Sequence, residues 1–232
     1  MLSGRMDPLP SIAYVGPIFG RFPLSVATGV KRRIDQGLPY RLLNAGTLQL
    51  SISERFINGL RKDDRPAGLI LHTPSRAMFD YLSRNPVPVV QTSNRDLPHA
   101  FPAVVSDDRE VGRMAARHLL DLGFQVCAFV GLQGYGYSDE RRIGFESELR
   151  ERQSPAHPVH IPVLEIPLTP GSTDPLPTWL AGLPFPSAIL ASDDSLARRI
   201  QIVAGALGIQ VPDQLAICGV NNDETDCTFC PV

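Results

Sequence analysis

This chain of 232 residues has few long apolar runs, no excess of positive charge and only four cysteines. The segment before Pro17 contains no long apolar stretch, so we expect no signal peptide, no membrane span and a cytoplasmic protein. A formal net charge of −2 and a pI near 6.2 give no general attraction to nucleic acid, which requires clustered Lys and Arg. The chain as a whole is therefore not expected to bind DNA by itself.

The four cysteines predict neither a metal centre nor a redox centre. Cys127 and Cys218 fall in apolar segments, where cysteine behaves as a small apolar side chain. Cys227 and Cys230 form a single C-x-x-C, whereas zinc needs a second pair of ligands and a thioredoxin-like motif opens a helix after a strand. We expect no metal ion and no cofactor.

The motifs of common enzyme classes are absent as well. Gly131, Gly134 and Gly136 do not match the G-x-G-x-x-G dinucleotide fingerprint, and they follow an internal strand rather than the first one. The sequence contains no G-x-S-x-G nucleophile elbow and no Walker lysine. The prediction is a protein that is not an enzyme. An NAD-dependent enzyme remains a third hypothesis, which a titration with NADH would test.

What the sequence does contain is an alternation of apolar strands and amphipathic helices. With 43% hydrophobic and 20% charged residues, the chain can bury a large core, as one domain or as two lobes of about 100 residues. Strands are predicted at residues 11–16, 40–43, 67–71, 87–91, 126–130, 159–166, 188–191 and 215–218. This alternation predicts parallel sheets in an α/β fold, with the proline-rich strand near Val163 at an edge.

Capping patterns predict where several helices begin. Ser51 and Glu54 form an S-x-x-E box, and Asp107 and Glu110 have the spacing of a capping pair. The helix after the glycine-rich loop is predicted to open on Ser138. In a parallel sheet these helices return the chain to the start of the next strand, so ligands are expected beyond the carboxyl ends of the strands.

One pattern carries a resemblance to a known family. The spacing D-x-x-x-G-x-x-A-x-x-H-L-x-x-x-G, an apolar strand, and then S-x-x-R-x-x-G-F resembles the effector-binding core of the lactose/galactose-repressor family. In this chain the pattern falls on Asp108, Gly112, Ala115, His118, Leu119, Gly123, Ser138, Arg141, Gly144 and Phe145. Residues 189–197 and 208–224 fit it too, so the resemblance covers roughly residues 11 to 225. It is closest to the xylose-operon regulator type, in which such a core precedes an arabinose-regulator-type DNA-binding domain.

The resemblance implies an α/β fold of two Rossmann-like lobes with parallel sheets, of the periplasmic-binding-protein-like type I. The implied N-terminal lobe is 11–105 and the C-terminal lobe is 106–219. Residues 220–232 would begin an incomplete return crossover towards the N-terminal lobe. Because the family has further elements after this point, the chain is expected to be truncated at its C-terminal end and to lack its DNA-binding domain.

The resemblance also implies an effector site. Six residues are predicted to bind the effector: Phe19, His72, Tyr137, Arg141, Asp194 and Asn222. Arg141 falls on the family's effector-contacting arginine, in the first turn of its predicted helix, and a guanidinium can donate to two sugar oxygens at once. The alternative is that Arg141 is a surface residue without a ligand. The neighbouring Arg142 is expected to face elsewhere and to be solvated. Asp194 falls on an aspartate that reaches the cleft, although it, Asp193 and Ser192 could also cap the next helix.

The other predicted contacts have structural alternatives too. Tyr137 and Phe19 could stack on a sugar ring or pack between lobes. His72 ends a strand, where a single histidine often has a structural role. Asn221 and Asn222 stand where the family usually has an aspartate. The two asparagines keep the capacity for hydrogen bonding but reduce the negative charge.

These features together predict the effector-sensing domain of a bacterial transcription regulator. The effector is expected to be a small molecule, a pentose or another sugar. Hinge closure on the ligand would change the geometry of the DNA readers in a homodimer, with DNA contacted only through the missing C-terminal domain. The alternative is a transport-associated sugar-binding protein of the same fold.

Overall fold

The computed structural model describes residues 9–16, 21–44, 65–72, 76–93, 101–167 and 173–228. The chain divides into two compact units, residues 1–105 and 106–232. Phe19 and the predicted helix with the capping box at Ser51 and Glu54 lie outside the described residues. The lobe boundaries, including the return crossover at 220–232, stay a prediction; the described part of that segment contacts the second unit.

The first unit contains a four-stranded parallel sheet. Its strands are β1 (Ser11–Val15), β2 (Arg41–Asn44), β3 (Gly68–Leu71) and β4 (Val89–Gln91), in the order β2-β1-β3-β4. Helix α1 (Arg21–Asp35) lies between β1 and β2, and α2 (Arg76–Arg84) between β3 and β4. The chain moves outwards in opposite directions from β1 and from β3. The carboxyl ends of these two strands therefore form the switch point at which α/β sheets bind ligands.

The second unit repeats this topology. Its strands are β5 (Cys127–Leu132), β6 (Val163–Ile166), β7 (Ser187–Ala191) and β8 (Leu215–Cys218), in the order β6-β5-β7-β8. Its described helices are α3 (Asp108–Asp121), α4 (Gly136–Arg152), α5 (Leu176–Ala181), α6 (Asp194–Ala206) and α7 (Glu224–Thr228). The switch point lies between β5 and β7. As predicted, β6 with Val163 is at an edge, where prolines remove no ladder hydrogen bond.

The core of the second unit lies on both faces of β5 and β7. Alternate residues of these strands point to opposite faces, and both strands are buried along most of their length. One face packs against α5 and α6 through residues such as Leu180 and Ile200, and the other packs against α3 and α4 through Leu119 and Phe145. Two-sided burial is typical of parallel sheets, and the predicted fold class is confirmed. None of the described helices is long and apolar enough to cross a membrane.

The helix starts agree with the sequence in one case and differ in another. Asp107 caps α3 as predicted, because its Oδ1 accepts a hydrogen bond from the backbone N–H of Glu110 at 3.0 Å. The prediction that the next helix opens on Ser138 is wrong, since α4 begins at Gly136. The Ser138 hydroxyl accepts from the N–H of Leu132 at 3.0 Å instead of capping the helix. Arg141 consequently lies in the second turn of α4 and not in the first.

Two glycines bring α3 and α4 into backbone contact. A Cβ atom on Gly112 would lie 2.0 Å from the carbonyl oxygen of Arg141, and one on Gly144 would lie 1.9 Å from the carbonyl oxygen of Arg109. No side chain larger than hydrogen fits at either position without moving the helices apart. This close crossing places Asp108, the first residue of α3, beside the side chain of Arg141 on α4.

Candidate ligand-binding site

Arg141 is the centre of a polar cluster at the carboxyl ends of β5 and β7. Its side chain is only 6% exposed, its Nε donates to Oδ1 of Asp108 at 2.9 Å, and its Nη2 lies 2.8 Å from the same oxygen in an ion pair. Its Nη1 donates to the carbonyl oxygen of Ser192, the residue that follows β7. A buried, charge-assisted pair of this kind holds the planar guanidinium in one orientation. Contacts within the protein therefore suffice to orient this arginine.

Tyr137 connects Arg141 to the start of α6. The Arg141 guanidinium carbon lies 5.0 Å from the centre of the Tyr137 ring, within cation–π range. The phenol donates to Oδ2 of Asp193 at 3.1 Å, while Oδ1 of Asp193 accepts from the N–H of Leu196 and caps α6. Burial raises the pKa of the Tyr137 phenol above its usual range, so the hydroxyl keeps its proton and donates. Stacking of Tyr137 on a sugar stays a prediction.

Asp194 holds the turn that follows β8. Its Oδ2 accepts from the backbone N–H of Asp223 at 2.6 Å, and a Cβ on Gly219 would meet its Oδ1 at 2.2 Å. Burial raises the pKa of this carboxyl, and the nearby charge of Asp193 adds to the effect. Asp193, and not Asp194, caps α6, so the capping alternative for Asp194 does not apply. The contacts of Asp194 described here are structural, and its contact with an effector stays a prediction.

The two asparagines after β8 have an unusual backbone conformation. Asn221 and Asn222 have φ angles of 102° and 52°, and both side chains are exposed. Asn is among the few residues other than Gly that adopt positive φ readily. Asparagine therefore suits the local backbone at both positions, independently of any effector. Asn222 lies beside the turn that Asp194 holds, and its role as a ligand contact stays a prediction.

His72 belongs to the first unit and follows β3 at that unit's own switch point. Its Nδ1 lies 3.3 Å from the hydroxyl of Thr92, and its ring centre lies 5.6 Å from that of Phe22. A Cβ on Gly16, directly after β1, would come within 2.7 Å of the His72 Cβ. These contacts fix the imidazole within the first unit. Whether it also contacts an effector stays a prediction, and Phe19 is outside the described residues.

Asp108 and Ser192 are the parts of the cluster that sequence reasoning did not assign. Asp108 stood in the family pattern, but its partner is 33 residues away and only the α3–α4 crossing reveals the pair. The Ser192 side chain is fully buried, and its hydroxyl has no hydrogen-bond partner among the described residues. Arg142 also differs from expectation. It is not simply solvated, because it pairs with Glu146 and Glu165 at 3.2 and 2.8 Å.

The Asp194→Asn variant tests how burial acts on this site. Asparagine keeps an oxygen for the Asp223 N–H but removes a buried charge, so we expect the free energy of unfolding to rise at pH 7. Because the pKa of Asp194 is raised on folding, its negative charge destabilises the folded state at neutral pH. This destabilisation disappears as the carboxyl group is protonated. The gain should therefore shrink as the pH falls towards about 4, the pKa of an unperturbed Asp. Urea unfolding at several pH values measures it.

The matched control is Asp193→Asn, at the neighbouring position. Asparagine keeps an oxygen that accepts from the Leu196 N–H, but its NH2 group cannot accept from Tyr137, so the change should destabilise the fold at pH 7 by about 1 kcal/mol. If Asp194→Asn destabilised the fold as much as Asp193→Asn, the conclusion that the buried charge of Asp194 destabilises the folded state would be wrong.

The fold and the cluster define a class of protein. Each unit is a parallel α/β sheet with a switch point at the carboxyl ends of its central strands, and the second unit carries a pre-oriented arginine there. Among the described residues, no group of three or more His, Cys, Asp or Glu is arranged to hold a metal ion. This is the architecture of a ligand-binding core. The family model for the periplasmic binding protein-like domain matches residues 116–231, half of the chain, and the chain belongs to this family.

Regulatory proteins are among its relatives. The chain is 29% identical over 130 residues to the xylose operon regulatory protein of Haemophilus influenzae, covering 55% of this chain and 33% of that protein. It is 28% identical over 218 residues to the HTH-type transcriptional regulator DegA of Bacillus subtilis, covering 91% of this chain and 64% of that protein. The chain thus spans one third to just under two thirds of the length of these relatives. The predicted resemblance to regulator cores is confirmed.

A solved structure supports the fold. The periplasmic binding protein/LacI transcriptional regulator from Alkaliphilus metalliredigens QYMF, complexed with D-xylulofuranose, superimposes with a TM-score of 0.69 at 19% identity. The match covers 93% of this chain and 79% of that one. At this identity the likeness establishes the shared fold alone.

Proposed function

We propose that this chain is the effector-sensing domain of a bacterial transcription regulator, and that its effector is a neutral sugar. One observation carries the proposal: Arg141 is buried, paired with Asp108 and aimed at the switch point of its sheet. A guanidinium has five N–H donors. The contacts with Asp108 and Ser192 use three of them, which leaves two for ligand oxygens. Two N–H groups in a fixed plane match a pair of adjacent sugar hydroxyls.

The charges of the cluster favour a neutral ligand over an anionic one. Arg141 pairs with Asp108, Tyr137 links it to Asp193, and Asp194 adjoins Asp193 in the chain, so these four charged groups have a negative sum. A phosphate or carboxylate on the ligand would be repelled in this environment, whereas hydroxyl groups can donate to the carboxylates and accept from Arg141. One regulator of known structure that superimposes on this chain is complexed with D-xylulofuranose, which is also a neutral sugar.

The relatives support the proposed role in transcription regulation. Both relatives described above are regulators and neither is an enzyme, so we favour a cytoplasmic sensor over a transport-associated sugar-binding protein or an enzyme. Effector binding would favour one arrangement of the core and shift the population towards it. In a dimer, this shift would change the spacing of the DNA readers and hence the half-site fit. Those readers would lie outside this chain.

A thermal-unfolding panel tests the proposal. Neutral pentoses, hexoses and disaccharides are compared with sugar phosphates and uronic acids on the full-length protein. A neutral sugar at 100 times its dissociation constant should stabilise the folded state by about 2.7 kcal/mol. The anionic sugars should produce no shift at the same concentration, because the cluster repels them.

The variant for this panel is Arg141→Lys, with Arg142→Lys as its matched control. Lysine keeps the charge beside Asp108 but loses the planar fork, so the sugar-induced shift should disappear. The control changes the neighbouring arginine, whose contacts are with Glu146 and Glu165, and should keep the shift. A full-length protein that responds to no neutral sugar, or that prefers a sugar phosphate, would contradict the proposal.

A further inference from the structure

The two units have opposite net charges, which the total for the chain conceals. Residues 1–105 contain 13 Lys and Arg against 7 Asp and Glu, a formal net charge of +6. Residues 106–232 contain 9 against 17, a formal net charge of −8. The whole-chain value of −2 therefore says little about how either unit meets a charged partner, since the relevant field is that of the local surface.

Much of the positive charge of the first unit lies at one edge of its sheet. In a parallel α/β unit, the starts of the strands and the ends of the helices meet at the same edge. Five exposed arginines are at this edge: Arg32, Arg33, Arg41, Arg65 and Arg84. We call this set the basic edge. It lies opposite the carboxyl ends of β1 and β3, where His72 is found.

Hydrogen bonds and strand pairing confirm this placement. Arg41 opens β2 and pairs with Ser11, the first residue of β1, and its Nε donates to the carbonyl oxygen of Leu9. Arg65 precedes β3, whose first residue Gly68 pairs with Ile12. The remaining three arginines lie in the last turns of α1 and α2. Because α1 and α2 leave the sheet in opposite directions, the basic edge extends across its full thickness.

These arginines are not neutralised by the described carboxylates. None of the five has an Asp or Glu of the described residues within salt-bridge distance; Arg33 donates to the amide oxygen of Gln36, and Arg84 to the backbone carbonyl of Asp80. The second unit differs, because eight of its nine arginines are paired with a carboxylate. As far as the described residues go, all five guanidinium groups are therefore exposed and have no carboxylate partner.

Stabilisation of helices can explain the presence of only some of the arginines in the basic edge. Cations in the last turn of a helix interact favourably with its dipole, by about 0.3–1 kcal/mol each. That reason applies to Arg32, Arg33 and Arg84. It does not apply to Arg41 and Arg65, which lie at the starts of strands.

We propose that the basic edge binds the phosphate backbone of duplex DNA. All five residues are arginines, whose rigid fork matches two phosphate oxygens. Among the described residues, the exposed large apolar side chains at this edge are Leu9 and Leu38, too few for the apolar centre of a typical protein interface. The competing partner is a second copy, whose second unit has a formal net charge of −8, and the test below distinguishes it from DNA. Binding at this edge needs no effector.

Fluorescence anisotropy with a labelled duplex of mixed sequence, about 25 base pairs long, tests this proposal on the full 232-residue chain without sugar. We expect binding at low salt that weakens steeply with salt, as backbone contacts require. The triple variant Arg32→Gln, Arg33→Gln, Arg65→Gln should bind on the order of tenfold more weakly at 50 mM salt. Its slope of log K against log salt should be flatter by about 2.7, for three lost phosphate contacts.

The matched control removes the same charge from the second unit, by Arg109→Gln, Arg113→Gln and Arg150→Gln. This variant has the same net charge as the first and should bind within about threefold of the unchanged chain. Circular dichroism checks that both variants are folded. Equal weakening by the two triple variants would overturn the proposal, as would no salt-dependent binding by the unchanged chain. Self-association lost only in the first variant, without DNA binding, would identify a second copy as the partner instead. None of these outcomes depends on the sugar panel.

Discussion

Replacing Asp108 with Ala is expected to lower the free energy of unfolding of the second unit by about 3–5 kcal/mol. The substitution leaves the guanidinium of Arg141 buried without its charge partner, because the side chain of the arginine is only 6% exposed. The remaining contacts, to the carbonyl oxygen of Ser192 and the ring of Tyr137, provide no opposite charge. Urea denaturation followed by circular dichroism measures the loss, with the m value as a check that the same surface unfolds.

Asp107→Ala is the control for this prediction. Asp107 is the adjacent aspartate, and its described role is to cap α3. Its loss should cost about 1 kcal/mol. Equal losses for the two variants would show that the buried pair has no special role.

A double replacement separates folding from ligand binding. Asp108→Leu combined with Arg141→Met substitutes two apolar side chains for the buried pair, a change that is often close to neutral for stability. We expect the double variant to recover most of the stability that Asp108→Ala loses. It should nevertheless lose the response to neutral sugars, because the guanidinium is gone.

Replacing Gly144 with Ala should cost about 3 kcal/mol, although alanine is the better helix former by about 1 kcal/mol. The added methyl group would lie 1.9 Å from the backbone carbonyl oxygen of Arg109, and a backbone atom cannot rotate away as a side chain would. Helices α3 and α4 must then separate, which moves Asp108 relative to Arg141. We therefore also expect sugar binding to weaken by more than tenfold. Denaturation and the thermal panel measure the two effects.

Gly205→Ala gives the matched control in the same unit. Gly205 lies in α6, and nothing stands within 4 Å of where its Cβ would be. Alanine there should stabilise the fold by about 0.5–1 kcal/mol through helix propensity alone. A Gly144→Ala protein as stable as Gly205→Ala would mean that the two helices do not cross as closely as described.

The sequence was sufficient to predict the order and type of the described elements up to β8, whereas the short helix α7 was not predicted. Short apolar runs located β5 and β7, and the spacing of Asp107 and Glu110 located the start of α3, because both signals depend on residues close together in the chain. The start of α4 was predicted two residues too late. Ser138 looks like a cap in isolation, but its hydroxyl is used by Leu132 at the end of β5.

The site was less predictable because its contacts are long-range. Arg141 was found from its place in a family pattern, but its partner Asp108 depends on how two helices pack. The distinction between Asp193 and Asp194 likewise depends on the turn after β8, about 30 residues further along. The positive φ of Asn221 and Asn222 is a property of that same turn, which no spacing rule indicates.

The crossing of α3 and α4 has an evolutionary consequence. Gly112 and Gly144 fix the position of the arginine through two helices that belong to the core, so a change at either glycine would disturb the anchor and the fold together. In the turns after β7 and β8, positions with exposed side chains, such as Asn221 and Asn222, can be substituted without disturbing the core. Ligand preference in such a protein can therefore diverge by substitutions in two short turns, while the anchor is inherited unchanged. Libraries restricted to those turns would be the economical route to a sensor for a new sugar.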